Sequence, residues 1–557
     1  MKKILWPIII LCIGVVTIFP LFHSEYFPMH DNTQVSRVSQ MALSLSEGAF
    51  PVRWVNDLGY GYGYPIFNFY APFAYYVGAF FVLFGINSLM ATKIMFGIGM
   101  ISAGLSMYFL SKSFFGKNAA ILSSLLYLFF PYHASLLYVR GAIGELFAYG
   151  FLPLPFLGLW QLYKTGKFRY VILFALGYGG IIISHNLSAL MITPFIVLAC
   201  VLLSAILYKK KQIRVILMIF SGLVLSILLS SWYVVPAIFE MKFTNISSIL
   251  GGGSNPLDHF VCLKQFWSGP WGFAGSTKGC MDGMSFVIGK VHVLVLVIGL
   301  LTFAYSHRLK DKEKKGLLFF SFFLILLSGF LMTDMSSFIW KEISFLHYIQ
   351  FPWRYLSFIA LGVAVIGGSI VFFLERYHKR SAFFFIFLFV FLTVFYNKHY
   401  FMPQYFWSND KAVSYFSDTK WTVSKISDEY LPRDFIKPKN RDEIPKELVK
   451  NQQILKNFEI IANSVYKKEF IIDLDRQTII QINTAYFPGW QLSIDDRRDV
   501  KGFQKNGIFV LPLSEGVHHI ELNFKQTPLE RYSNYLSLLG IIIVLAGILH
   551  SRKEKYL

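Results

Sequence analysis

Apolar runs of roughly twenty residues recur along the chain from Ile4 to Ile548, separated by polar breaks. Each run is near the ~20 residues that a helix needs to cross ~30 Å of hydrocarbon. Helices also satisfy their backbone polar groups within the segment. The polar breaks are of two kinds. One kind is short and basic: Lys2-Lys3, Lys112/Lys117, Lys164/Lys167/Arg169, Lys209-Lys210-Lys211/Arg214, Arg308 to Lys315, Arg376/Lys379/Arg380 and Arg552/Lys553/Lys555. Placing these on the cytoplasmic side gives alternating spans at 4–22, 90–111, 119–138, 146–163, 170–185, 187–208, 215–238, 286–306, 317–333, 353–375, 381–397 and 533–550, about twelve crossings. Parity then forbids a crossing at 66–86. Asn68, Pro72 and the Tyr and Phe content of that run suit an interfacial or re-entrant segment instead. Ile4 to Phe22 is long and has no small-residue cleavage pattern after it, so it reads as an uncleaved first span.

The other breaks fall on the outer side. They are the loop 23–65, the turns at Arg140–Glu145 and His185-Asn186, the loops 239–285 and 334–352, and the segment 398–532. Period-two alternation in Phe470-Ile-Ile-Asp-Leu, Thr478-Ile-Ile-Gln-Ile, Gln491-Leu-Ser-Ile and His519-Ile-Glu-Leu-Asn-Phe predicts strands in that segment. The expected architecture is an all-α polytopic membrane core over 1–397, a smaller extracytoplasmic β-rich domain over 398–532, and a final span with a basic cytoplasmic tail over 533–557.

Composition agrees with this pattern. The 557 residues are 55% hydrophobic and 15% charged, against about 25% charged for soluble chains. The net charge of +20 lies in short clusters between apolar runs, so it argues for cytoplasmic loops and against nucleic acid. Cys12 and Cys200 fall in spans. Cys262 and Cys280 share one outer loop, where a disulfide and two free thiols are both open. No zinc-type Cys/His spacing occurs.

Span interiors are nearly free of ionisable residues; Lys93, Glu240, Arg354 and Glu375 sit near span ends. That weakens an ion-coupled transporter reading. Polar residues gather at the outer interface, a level that suits a substrate with a lipid tail and a polar head. Asp31 follows the first span in His30-Asp31-Asn32 and reads either as a cap for a helix at 33–47 or as a functional acid. Arg140 and Glu145 read as a local ion pair or as the floor of a polar cleft. His185-Asn186 reads as an interhelical hydrogen bond or a ligand contact. Arg354, in Gln350-Phe-Pro-Trp-Arg, reads as an interfacial anchor or a phosphate clamp. The run Asp57-Leu-Gly-Tyr-Gly-Tyr-Gly-Tyr-Pro lacks the Lys-Ser/Thr ending of a phosphate loop. It reads as a flexible outer loop offering aromatic faces.

A first span, an early acid (Asp31), an aromatic interfacial segment and a second acid (Glu145) in the next outer loop together resemble the GT-C class of membrane glycosyltransferases. That class includes oligosaccharyltransferases, protein mannosyltransferases and aminoarabinose transferases. His30-Asp31, Gly59 to Pro65, Asn68-Phe-Tyr-Ala-Pro, Arg140 to Glu145, Ser184-His-Asn and Phe351-Pro-Trp-Arg resemble a bacterial membrane family labelled "6-pyruvoyl-tetrahydropterin synthase-related". Tyr486-Phe-Pro-Gly-Trp-Gln and Gly516-Val-His-His-Ile resemble the outer β domain of membrane proteins implicated in lipoteichoic acid glycosylation. The pterin label has no chemical support in these residues, which lack the three-histidine zinc pattern of such a synthase.

The resemblance implies a bacterial cytoplasmic-membrane enzyme. It would move a sugar from a polyprenyl-phosphate donor to a cell-surface glycan or polymer on the outer face. Asp31 would be the general base. Arg140 and Arg354, with His30, His185 and Asn186 around them, would hold the lipid phosphate and sugar, and Glu145 would bind a sugar hydroxyl or a metal. Some members use a divalent metal, Mg or Mn. The lack of an Asp-x-Asp pair after Asp31 favours a metal-free mechanism. The alternatives are a flippase for lipid-linked glycans and a non-catalytic envelope assembly protein.

Overall fold

The computed structural model describes residues 5–246, 254–305, 311–452, 455, 457–498 and 504–553. Lys2, Lys3, Arg308, Lys310 and Lys555 of the basic clusters lie outside the described residues.

The membrane core is a bundle of apolar helices. Helix α1 (Leu5–Ile18) leads into an outer loop carrying α2 (Gln34–Ser46), then α3 (Ile66–Phe69) and α4 (Phe73–Leu83). Next come α5 (Ser88–Phe115), α6 (Lys117–Leu128), α7 (Pro131–Tyr138), α8 (Ile143–Phe151), α9 (Pro153–Thr165), α10 (Arg169–Ser184), α11 (Asn186–Lys209) and α12 (Ile213–Phe239). After an irregular loop follow α13 (Lys290–Tyr305), α14 (Lys312–Met332), α15 (Ser337–Glu342), α16 (Leu356–Tyr377) and α17 (Lys379–Asn397). Helix α18 (Asn409–Ser417) opens the C-terminal segment and α19 (Pro528–Lys553) closes the chain.

Among the described residues, 8 helices are long and apolar enough to span, and the bent pair α6–α7 makes a ninth. Trp6–Phe22, Arg169–Ser184 and Lys290–Tyr305 are shorter apolar helices, and each falls on an expected span. The 45° bend between α6 and α7 has a local cause. Pro131 occupies the first position of α7 and holds Phe130 extended (φ −65°, ψ 130°). The expected interfacial run 66–86 is broken into α3 and α4, and the 11 residues of α4 are too few for a crossing. Helix α16 is the axis of the bundle and is almost wholly buried, whereas α17 and α19 turn apolar faces outward. Gly367 on α16 lies directly against Leu126 of α6, whose Cδ1 would have to move for a Cβ there, the close approach that small residues permit between spans.

The basic loops meet at one end of the bundle. Lys164 pairs with Glu313 at 2.8 Å, Lys210 donates to Tyr163 at 2.9 Å, and Asn118 donates to Glu375 at 2.5 Å. The outer-loop elements meet at the other end.

There the C-terminal β domain packs. Its strands are β1 (Asn457–Asn463), β2 (Lys467–Leu474), β3 (Thr478–Ala485), β4 (Trp490–Ile494), β5 (Arg497–Arg498), β6 (Gln504–Lys505), β7 (Ile508–Leu513) and β8 (Gly516–Phe524). They form two antiparallel sheets, ordered β1-β2-β8-β4-β5 and β3-β7-β6. In β2, Lys468, Phe470, Ile472 and Leu474 are buried while the residues between them are partly exposed, the alternation of a half-covered sheet. The domain docks on the first outer loop. Glu47 accepts from Val465 N at 2.5 Å, Ala485 N donates to Tyr62 O at 2.7 Å, and Trp54 packs on Trp490 and Phe524 at 5.6 and 5.4 Å.

The Gly-Tyr run is not a flexible loop offering its rings, which corrects the sequence expectation. Tyr60 and Tyr64 are buried. Tyr60 donates to Asp428 at 3.0 Å, and Tyr64 Oη accepts from Tyr430 N at 2.8 Å. Gly63, at φ +88°, has Trp54 stacked where a Cβ would stand. The run is a clasp that holds residues 424–430 against the core.

Candidate active site at the outer-loop end

Asp31 is fixed by backbone pairing. His30 N donates to Val139 O and Asp31 N to Arg140 O, both at 2.9 Å, and Gln34 Nε2 donates to Gly141 O at 2.7 Å. The first outer loop is thus stitched along the α7–α8 turn. Helix α2 starts at Gln34 behind Thr33 and has no side-chain cap bond, so Asp31 does not act as its cap. The Asp31 carboxylate is partly exposed and has no hydrogen-bond or ion-pair partner among the described residues. Its charge reaches Arg140, Arg354, Tyr70 and Glu429.

Behind it lies a buried charge cluster. Arg140 Nη1 donates to Glu145 Oε2 at 2.6 Å and to Tyr132 Oη at 2.9 Å, and Tyr132 donates to Glu145 Oε1 at 2.5 Å. The Arg140 guanidinium lies over the Trp353 ring at 4.5 Å, a cation–π contact. Arg354 Nε stands 3.7 Å from Glu145 Oε2. Arg354 comes from the turn Pro352–Tyr355, whose indole Trp353 Nε1 is anchored on Ser276 at 3.1 Å. Glu145 is 2% exposed and is shared by two guanidiniums, so the cluster keeps one surplus positive charge. Among the described residues the Arg354 side chain makes one hydrogen bond, Nη1 to Ile349 O at 2.8 Å, and its buried Nε has none. A guanidinium has five N–H donors, so donors remain for an anion.

The structure brings His185 to the same place. Its Nδ1 caps α11 through Ser188 N at 3.1 Å, and Gly144 lies against its ring. Asn186 faces the neighbouring elements: Nδ2 donates to Phe69 O at 3.2 Å, and Oδ1 accepts from Tyr233. His30 binds the Phe273 carbonyl through Nε2. It ties the outer loop 254–285 to the site edge, as Asn186 ties down α3.

Arg37 and Glu429 were not legible as site residues. Arg37 donates to Ser427 at 2.6 Å, to Tyr75 at 3.2 Å and to Glu429 at 3.3 Å, and it lies over Tyr70 at 4.3 Å. Burial pushes the Glu429 carboxyl above the usual range, Arg37 pulls it back, and Asp428 and Asp31 push it up again. Glu429 is 392 residues from Arg37 in sequence, and no local motif announces the pairing. Arg37 sits on the amphipathic helix α2 among Val35, Val38 and Met41, and a cation on that buried face was the one available signal.

A metal fits poorly here. Both Glu145 oxygens are taken by Arg140 and Tyr132, and among the described residues no three His, Cys, Asp or Glu stand together to hold an ion.

A family described as "6-pyruvoyl-tetrahydropterin synthase related domain; membrane protein" matches residues 67–261. No curated protein matches the sequence. Among solved structures, the chain is similar to the apo oligosaccharyltransferase of Archaeoglobus fulgidus, with TM-score 0.47 and 12% identity over 80% of this chain and 62% of that one. It is similar to the arabinofuranosyltransferase AftD from Mycobacteria, with TM-score 0.44 and 11% identity over 72% of this chain and 27% of that one. ArnT from Cupriavidus metallidurans, bound to undecaprenyl phosphate, gives TM-score 0.38 and 12% identity over 77% of this chain and 78% of that one. The chain spans about three fifths of the length of the archaeal oligosaccharyltransferase.

Proposed function

We propose that this protein is a membrane glycosyltransferase that moves a sugar from a polyprenyl-phosphate donor to a cell-envelope acceptor on the extracytoplasmic face. One observation carries the reading: a partly exposed carboxylate, Asp31, unpaired among the described residues, is fixed by a backbone hydrogen bond to Arg140, which shares Glu145 with Arg354 in a cluster of net positive charge. Such a pairing of base and anion site is what displacement at an anomeric carbon requires.

In the proposed step Asp31 takes the proton of an acceptor hydroxyl. The acceptor oxygen bonds to the anomeric carbon, and the bond from that carbon to the phosphate oxygen breaks. The leaving lipid phosphate keeps the electron pair, and the free donors of Arg354, with the field of Arg140, stabilise it where charge accumulates. Glu145 acts through the guanidiniums it orients and is a positioning residue. The Cys262–Cys280 disulfide at this end of the bundle supports an oxidising, extracytoplasmic side, as does the gathering of basic loops at the other end.

The test is genetic. Cells carrying Asp31→Asn are expected to insert the protein at normal levels and lose one envelope glycan modification. Normal glycans in that strain contradict the reading.

A further inference from the structure

A large cavity lies far from this site. It is a groove of about 680 Å³ between α9, α11, α14 and α16, walled by apolar side chains that include Phe156, Trp160, Leu202, Ile206, Phe319 and Phe323. Leu202, Ile206 and Phe319 are 46%, 44% and 63% exposed, so the groove opens sideways from the bundle, toward hydrocarbon in a spanning protein. Its charged groups, Lys209, Lys312 and Glu313, are confined to one end, beside Tyr163. Glu313 is already engaged there, by Lys164 at 2.8 Å and Tyr163 at 3.0 Å. Lys210 is used by Tyr163 at 2.9 Å, and Lys314 by the Phe114 carbonyl. The exposed ammonium groups of Lys209 and Lys312 have no partner among the described residues.

We infer that this groove is a binding site for a resident anionic phospholipid, with an acyl chain along α11 and α14 and its phosphate between Lys209 and Lys312. An apolar slot open to the bilayer is filled by a lipid chain, and basic pockets between spans select anionic headgroups. Position separates this occupant from a polyprenyl-phosphate donor. His185 and Lys209 bracket the 24 residues of α11, about 35 Å at ~1.5 Å per residue. A headgroup at Lys209 therefore lies in the leaflet opposite the one that meets Arg354. The inference does not depend on the glycosyl-transfer reading.

The test uses the full chain, purified in detergent, stripped of lipid and titrated with dioleoyl-phosphatidylglycerol or dioleoyl-phosphatidylcholine, with bound lipid counted by native mass spectrometry. At about 1 kcal/mol per lysine, phosphatidylglycerol is expected to bind roughly thirtyfold tighter than phosphatidylcholine. The double variant Lys209→Gln/Lys312→Gln is expected to lose that margin. Gly316 lines the groove and faces open space, so Gly316→Phe is expected to exclude both lipids. Equal affinity for the two headgroups, an unchanged preference in the double variant, or unchanged lipid binding in Gly316→Phe overturns the inference. So does displacement of phosphatidylglycerol by equimolar undecaprenyl phosphate, which would make the groove a polyprenyl site.

Discussion

Two carboxylates of the site, Glu145 and Asp31, have opposite surroundings, and the difference predicts opposite mutational phenotypes. Glu145 is buried under Arg140, Arg354 and Tyr132. Glu145→Gln leaves two buried guanidiniums without their counter-charge and is expected to cost about 3–5 kcal/mol, read as a lowered thermal midpoint and increased protease sensitivity. Asp31 has no side-chain partner to lose, so Asp31→Asn is expected to change stability by under about 1 kcal/mol. A third residue reports pH. Lys468 in β2 is 6% exposed and held by Asn463 at 2.8 Å and Asn56 at 3.3 Å. Burial pushes its ammonium down to about 8 from the usual lysine value of 10.5, against the pull of Glu47 and Asp57 and with the push of Lys420. The folded state therefore binds the proton more weakly than the unfolded chain. Stability carries the full penalty below pH about 8 and rises as pH climbs toward about 10.5, by on the order of 3 kcal/mol. Lys468→Met is expected to flatten that rise in thermal midpoint against pH.

At the scale of elements, the clasp formed by the Gly-Tyr run joins the first outer loop to residues 424–430. Gly63 combines φ +88° with the Trp54 ring at its Cβ position, so Gly63→Ala is expected to cost about 2 kcal/mol or more. The loss should expose 424–433 to limited proteolysis well before the helices unfold. This clasp also marks where sequence legibility ends. Spans were readable because length and hydropathy are local properties, and β2, β3, β4 and β8 were readable because alternation is local too. The interfacial reading of 66–86 rests on the parity of basic loops, a constraint on the whole chain, and the break of that run into α3 and α4 agrees with it. The role of Gly59 to Tyr64 was not readable, since the partners Ser424, Asp428 and Tyr430 lie over 360 residues away. Arg140, Glu145, Arg354 and His185 were readable as candidates because a charge beside an apolar span needs an explanation. That Arg140 and Arg354 share the Glu145 carboxylate was visible only in space. Glu429 gave no local sign, being one acid in a polar stretch.

At the scale of the molecule, polarity is separated end to end. The basic loops and the lipid groove mark one end, while the acid–guanidinium site, the Cys262–Cys280 disulfide and the docked β domain mark the other. The account requires the second end to face out of the cell. After mild reduction of intact cells, a membrane-impermeant thiol reagent is expected to label Cys262 and Cys280 and to leave Cys12 and Cys200 unlabelled. Labelling of Cys262 and Cys280 only after the cells are permeabilised would invert the topology. The central claim concerns Asp31 and is tested most directly with purified protein and a lipid-linked sugar donor. Wild type and Asp31→Asn are compared for binding of undecaprenyl phosphate and for transfer to envelope acceptor. The account predicts unchanged lipid-phosphate affinity in Asp31→Asn with transfer reduced about 10²–10⁴-fold. Transfer at the wild-type rate in a variant that still binds the lipid phosphate would contradict it.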